Sequence, residues 1–144
     1  EMYETVHAHY KNMDIVISAA AVADYRPKSL AEQKIKKKDT ELAIDLVKTK
    51  DILLSLGQQK KNQFLVGFAL ETENELGNAK AKLKKKNLDA IVLNSLNDDG
   101  AGFGTPTNKI TFIDKNSTIK PFELKNKTAV AEDIFDEILK RYHA

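Results

Sequence analysis

Three short apolar runs constrain the fold of this chain more than any other feature. Ile15-Val16-Ile17 lies within residues 14–20, Phe64-Leu65-Val66 within 64–69 and Ile91-Val92-Leu93 within 88–94. Each run is too short for a buried helix and is bounded by polar or small residues, and the first, Ile15-Val16-Ile17, is β-branched throughout. That pattern predicts strands buried on both faces. Between the second and third runs, residues 71–87 carry Leu76, Ala79 and Leu83 on one helical face, with acids early and lysines late as the helix dipole favours. Asn87 suits the C-terminal turn of that helix. Buried strands separated by helices need crossover connections, and hence a mainly parallel sheet covered on both sides.

The remaining segments fit around this frame. Met2, Val6 and Tyr10 are spaced for a helix that opens without a capping residue. Pro27 disfavours helix at Arg26, so residues 21–27 read as a loop. Residues 34–38 and 41–48 flank Asp39-Thr40, and Leu42, Ile44 and Leu46 alternate, which predicts a lysine-rich hairpin. Residues 51–60 read as a helix capped by Thr49. A polar, glycine-containing loop covers 94–108; a second hairpin covers 109–114 and 118–124; Val130, Ile134, Ile138 and Leu139 mark a closing helix. With 144 residues, the chain is expected to form one domain with a conventional core.

Composition removes several chemistries. The absence of cysteine rules out disulfides, thiolate metal sites and a cysteine nucleophile, and it fits a cytoplasmic setting. No apolar run reaches the roughly 20 residues of a membrane-spanning helix, so no membrane partner is expected. The three histidines, His7, His9 and His143, fall on terminal helices, which points to surface roles rather than catalysis or a transition-metal site. Neither a phosphate-cradling G-x-x-x-x-G-K-[ST] nor a helix-opening G-x-G-x-x-G is present.

The formal charge is only +2, from 23 basic and 21 acidic residues, but lysine gathers at 34–38 and 80–86. On the second segment Lys82 and Lys86 share one flank of the helix, and Lys80 and Lys84 the other. Such lysines serve either as a solvated face or as a grip on a polyanion. Ligands of open parallel sheets bind beyond the strand carboxyl ends, which selects residues 18–24, 68–72 and 94–108. There Asp24 could accept hydrogen bonds from a ribose or a base amine, or could close an Asx-turn. A nucleic-acid-binding module would use the same lysines, but aromatic stacking platforms are not interleaved with them. A dinucleotide-dependent oxidoreductase lacks its glycine fingerprint.

From Ser18 through the run Ala19-Ala20-Ala21-Val22-Ala23-Asp24-Tyr25-Arg26-Pro27, the chain resembles the phosphopantothenoylcysteine synthetase family of coenzyme A biosynthesis. The likeness continues at Lys34-Ile35-Lys36-Lys37, from Leu46 to Leu53, at Val66-Gly67-Phe68-Ala69-Leu70-Glu71-Thr72, through Ala79 and Lys82 to Lys86-Asn87-Leu88-Asp89, and on to Asn94, Gly102-Phe103-Gly104 and Asn108. It implies a three-layer, Rossmann-like α/β fold, and an enzyme that joins 4′-phosphopantothenate to L-cysteine. CTP, with Mg2+, activates the carboxylate as an acyl-cytidylate, and the cysteine amine then displaces CMP. The family is dimeric, and FMN enters only where a decarboxylase domain, absent from this chain, is fused to it.

Carried over by position, the resemblance implies that Ser18, Ala19 and Ala20 line the nucleotide with main-chain groups and that Asp24 holds its sugar or base. Lys34 would be the catalytic lysine that meets the phosphates. Lys50, Asp51, Ile52 and Leu53, with Phe68, would border the base, and Lys82 and Lys86 would contact the nucleotide from their helix; no metal ligands are assigned. Family members carry a first strand, a glycine-rich turn and an asparagine-containing segment ahead of the point where this sequence starts. The expectation is an incomplete domain that lacks full synthetase activity by itself.

Overall fold

A computed structural model describes residues 1–35, 42–98, 100–101 and 104–143. The elements run α1 (Met2–Tyr10), β1 (Ile15–Ser18), β2 (Tyr25–Pro27), β3 (Leu46–Lys48), α2 (Ile52–Gln59), β4 (Phe64–Glu71), α3 (Glu75–Lys85), β5 (Ala90–Ser95), β6 (Thr107–Asn108), β7 (Ile110–Asp114), β8 (Ile119–Pro121), β9 (Lys125–Asn126) and α4 (Lys127–Tyr142). They form two compact units, one of residues 1–19 with 52–144, the other of residues 20–51.

In the first unit a five-stranded sheet has the order β1-β4-β5-β7-β8. β1, β4 and β5 are parallel, while β7 pairs antiparallel with both β5 and β8. Only β7 therefore runs against the other four strands, and the mainly parallel sheet expected from the buried runs is present. Alternation along the strands divides the core in two. Leu65, Ala69, Ile91, Leu93 and Ile113 face a cluster with Tyr10 of α1, Ile52 and Leu56 of α2, and Ala79 and Leu83 of α3. Phe64, Val66, Ala90, Val92, Ile110 and Phe112 face Val130, Ile134 and Ile138 of α4. Helices thus cover both faces because successive strand side chains point to opposite sides. Asn126 caps α4 by accepting the Ala129 N–H at 2.8 Å.

Three expectations need correction, and one element is added. Among the described residues β1 pairs with β4, and it is half-buried with Ile17 exposed rather than buried on both faces. α3 starts at Glu75 rather than Glu71, because β4 continues through Glu71 and Asn74 turns the chain in a left-handed conformation at φ 43°. His7 is half-buried rather than a surface group. Its two ring nitrogens lie 2.8 Å from the Tyr3 carbonyl and 2.9 Å from the Ser55 hydroxyl, joining α1 to α2. A small antiparallel ribbon of β6 and β9, which no periodicity announced, precedes α4.

The second unit holds an antiparallel ribbon in which Tyr25, Arg26 and Pro27 face Lys48, Val47 and Leu46. Here the hairpin expectation is redirected. The segment read as a loop is the partner strand, since the residue before a proline is driven to extended backbone and not only away from helix. Lys34 and Ile35 are outside any strand, while the turn at Asp39-Thr40 and Lys36, Lys37 and Lys38 lie outside the described residues. The Thr49 hydroxyl does not cap α2 but donates to the Ala23 carbonyl at 2.6 Å. Among the described residues no helix is long and apolar enough to cross a membrane.

Candidate active site

The carboxyl ends of β4 and β5 carry a connected set of polar side chains. Glu71 closes β4, and its carboxylate accepts from Lys82 Nζ at 2.5 Å and from Asn78 Nδ2 at 3.1 Å. Lys82 reaches it from the second turn of α3 and remains about half exposed, whereas Glu71 is 12% exposed. Glu75, in the first turn of α3, accepts from the Ser95 hydroxyl at 2.5 Å and from Asn97 Nδ2 at 3.0 Å. Asn97 also donates to the Thr72 carbonyl, and Asn108 donates to Asn94 at 2.9 Å. In the following loop Asp98 holds the Lys109 ammonium at 2.7 Å and raises its pKa above the usual lysine value.

This rim can do two things chemically. It fixes Lys82 at a strand end, where ligands of such sheets bind, and it keeps that cation neutralised by Glu71 until an anion competes for it. Asn97 donates to the Thr72 carbonyl, the Ser95 hydroxyl to Glu75 and the Leu96 N–H to the Glu71 carbonyl, so the β4 and β5 ends are tied together.

The residues singled out from the sequence divide between the two units. In the first unit Ser18 ends β1 in register with Gly67, next to Phe68 on β4. Phe68 is partly buried against the α4 side of the core. Ala19 is exposed. Ile52 is buried in the opposite core cluster and Leu53 packs on it. Their side chains are therefore committed to packing, and what they can offer a ligand is mainly backbone. Lys86 caps α3 at its far end, about 16 Å along the helix from Glu75. Its carbonyl lies against Gly57 of α2. Lys82 and Lys86 thus share a flank, but only Lys82 reaches the β4 terminus.

In the second unit Ala20, Asp24, Lys34 and Lys50 are exposed, and Asp51 is half-buried. The Asp24 carbonyl accepts the Thr49 N–H at 2.8 Å. Its carboxylate takes no hydrogen bond among the described residues, which leaves the Asx-turn reading without its defining contact. The Lys34 ammonium has no ion pair among the described residues.

Sequence reasoning did not single out Glu71, Glu75 or Ser95. Glu71 was counted into the helix, and no local signal distinguishes a strand-terminal glutamate from a first-turn one. Asp89 had a signal that went unused, a carboxylate inside an apolar run. It is buried, accepting from the Leu65 N–H, Lys60 and Lys115, and these bonds outweigh the upward push of burial to hold its pKa below the ordinary aspartate value.

Comparison with known proteins bears on the fold and the family. A protein named cysteine/cysteine sulfinic acid decarboxylase, from an unknown prokaryotic organism, is 54% identical over 99% of this chain. The coenzyme A biosynthesis bifunctional protein CoaBC of Bacillus subtilis (strain 168) is 44% identical over 96%. The chain spans 40% and 34% of the lengths of these two relatives. Among solved structures, the C-terminal domain of a CoaBC protein matches with a TM-score of 0.75 and 38% identity, covering 95% of this chain and 59% of that one. The pattern of the family described as DNA/pantothenate metabolism flavoprotein C-terminal domain runs through residues 1–142, and the chain belongs to that family.

Proposed function

We propose that this chain is the amide-forming part of an enzyme of coenzyme A biosynthesis, which joins 4′-phosphopantothenate to L-cysteine at the expense of CTP. The observation that carries this reading is the similarity to the bifunctional coenzyme A biosynthesis protein along 96% of the chain, together with the match to the C-terminal domain of such a protein. In the reaction a carboxylate oxygen of phosphopantothenate attacks the α-phosphorus of CTP, and the bond to pyrophosphate breaks. The cysteine amine then attacks the acyl carbon, CMP leaves with the carboxylate oxygen, and the amine loses a proton.

Most of what a protein supplies to such a displacement is position and fixed positive charge. In this reading Lys82 exchanges its Glu71 partner for a phosphate oxygen of the nucleotide, with Lys86 on the same helix flank. Lys34 meets the phosphates, and Asp24, whose carboxylate is uncommitted among the described residues, receives the sugar or base hydroxyls and amines. Ser18, Ala19, Ala20, and Lys50 to Leu53 present main-chain groups, and Phe68 borders the base. Magnesium enters with the triphosphate as part of the substrate. Among the described residues no cluster of three or more His, Asp or Glu offers it a protein cage. FMN belongs to a decarboxylase domain where one accompanies the chain. The working enzyme is read as a cytoplasmic homodimer.

The relative named as a decarboxylase gives a competing activity for the longer protein of which that name is used. One assay separates the two readings. The chain, extended to the full length of its relatives, is incubated with CTP, Mg2+, phosphopantothenate and cysteine. The proposal expects pyrophosphate and the amide in equal amounts; release of CO2 from cysteine with no amide formed supports the other reading.

A further inference from the structure

Lys80 and Lys84, on the flank of α3 away from Lys82, border an open cleft of about 540 Å³. Its other walls are Lys60 after α2, Asp89 just before β5, and Asp114 with Lys115 at the end of β7. We propose that this cleft binds a small multivalent anion of the phosphate or pyrophosphate class, at a site separate from the strand carboxyl ends.

The cleft carries positive charge left over from its own ion pairs. Both acids in the wall are engaged from within. Asp89 accepts the Leu65 N–H at 2.9 Å, Lys60 at 3.0 Å and Lys115 at 3.1 Å. Asp114 accepts the Asn116 and Thr118 N–H groups at 3.0 and 2.9 Å, and Arg141 Nε at 2.8 Å. Three of the roughly four lone-pair positions of each carboxylate are thus taken, and the Lys80 and Lys84 ammonium groups make no ion pair among the described residues. Four lysines therefore face two carboxylates, one of which Arg141 already neutralises from outside the cleft.

Like charges four apart on a helix repel, so Lys80 and Lys84 gain from a shared counter-ion. The dipole of α3 favours bases near its C-terminus, and Lys115, from a separate strand end, lines the same opening through its ion pair with Asp89. The cleft also has room, since small-molecule sites typically run from roughly 300 to 1,000 Å³. It lies at the amino ends of β4 and β5, by Leu65 and Asp89, about 20 Å along β4 from Glu71. It is thus distinct from the rim that holds Lys82.

The test is a residue-resolved NMR titration of the chain with sodium pyrophosphate, inorganic phosphate and CMP in parallel, repeated on K80E/K84E. Both lysines are exposed, so the variant is expected to fold. A Lys115→Gln variant provides a second reading if it does not. The proposal expects saturable shifts at the amides of Lys84, Lys115 and Ser117 with pyrophosphate, and at least tenfold weaker binding at those amides in K80E/K84E. Shifts at Glu71 and Ser95, if pyrophosphate also occupies the strand-end rim, would persist in that variant. Equal responses to phosphate and pyrophosphate identify a single phosphoryl group as the ligand, and a response to CMP alone identifies a phosphate ester. Absence of shifts at Lys84, Lys115 and Ser117 with all three probes, or shifts that survive K80E/K84E and Lys115→Gln unchanged, would overturn it.

Discussion

Replacing Gly57 with alanine sets two effects of opposite sign against each other in one buried position of α2. Helix propensity favours alanine over glycine by about 1 kcal/mol. The packing opposes it, because a Cβ at position 57 would lie 1.9 Å from the Lys86 carbonyl oxygen and 2.9 Å from its carbon. Ordinary carbon contacts begin near 3.5 Å, so α2 and the end of α3 would have to part by more than about 1 Å. Both atoms met are backbone, and no rotamer change relieves them. Overpacking of this kind costs about 1–3 kcal/mol or more, and the Asn87 Nδ2 hydrogen bond to the Gly57 carbonyl, 2.9 Å long, lies on the same contact. The clash wins, and a net loss of about 2 kcal/mol is expected. For a chain of this size that is a fall in Tm of roughly 6–10 °C. Urea denaturation followed by circular dichroism reads it as a lowered midpoint with unchanged slope. A midpoint equal to or above that of the parent would refute the reasoning, since it would mean that the Lys86 turn yields freely and propensity decides.

The other predictions concern the charged groups. Asp89→Ala leaves Lys60, 13% exposed, without its carboxylate and the Leu65 N–H without an acceptor; a loss of about 3 kcal/mol is expected, with Asp89→Asn less costly because it keeps an acceptor for that N–H. In acid, burial by itself would raise Glu137, but hydrogen bonds from Lys120, Lys140 and Arg141 bring it down to about 2, and Asp89 and Asp114 are also held below their ordinary values. Carboxylates lowered on folding stabilise the fold above their unfolded pKa values, and that stability drains as pH falls from about 4.5 toward 2. A denaturation midpoint that stays flat across that window would contradict the ion-pair assignments. Lys34→Gln is expected to slow acyl-cytidylate formation by ~10²–10³ while the thermal midpoint holds, a split that single-turnover kinetics and calorimetry resolve.

How much of this was legible before the structure depends on how far each signal reaches. The runs at Leu65 and Ile91 were legible because a strand covered on both faces must be apolar throughout, and the β7–β8 pair because its arms are adjacent in sequence. The run at Ile15 carried the same signal, yet among the described residues its strand is half-buried with Ile17 exposed; composition reports apolarity, not what covers each side chain. The pairing of Tyr25–Pro27 with Leu46–Lys48 was not legible, because it joins residues about twenty apart through no shared period. At the candidate site, Lys82 stood out through helical spacing and Asp24 through its place after a strand. The Glu71 that holds Lys82 did not, since that contact depends on where β4 stops, and the hydrogen bonding of Asp89 and Asp114 depends on strands and turns far apart in the chain.

The proposed chemistry has one consequence that binding data alone cannot supply. When the carboxylate attacks the α-phosphorus and CMP later departs, one carboxylate oxygen goes with it. Phosphopantothenate labelled with 18O in its carboxylate is incubated with CTP, Mg2+, cysteine and the chain extended to the full length of its relatives, and the products are analysed by mass spectrometry. The account predicts CMP carrying one 18O, unlabelled pyrophosphate and an amide retaining the second label. Label in inorganic phosphate or pyrophosphate, or amide formed with unlabelled CMP, would contradict it.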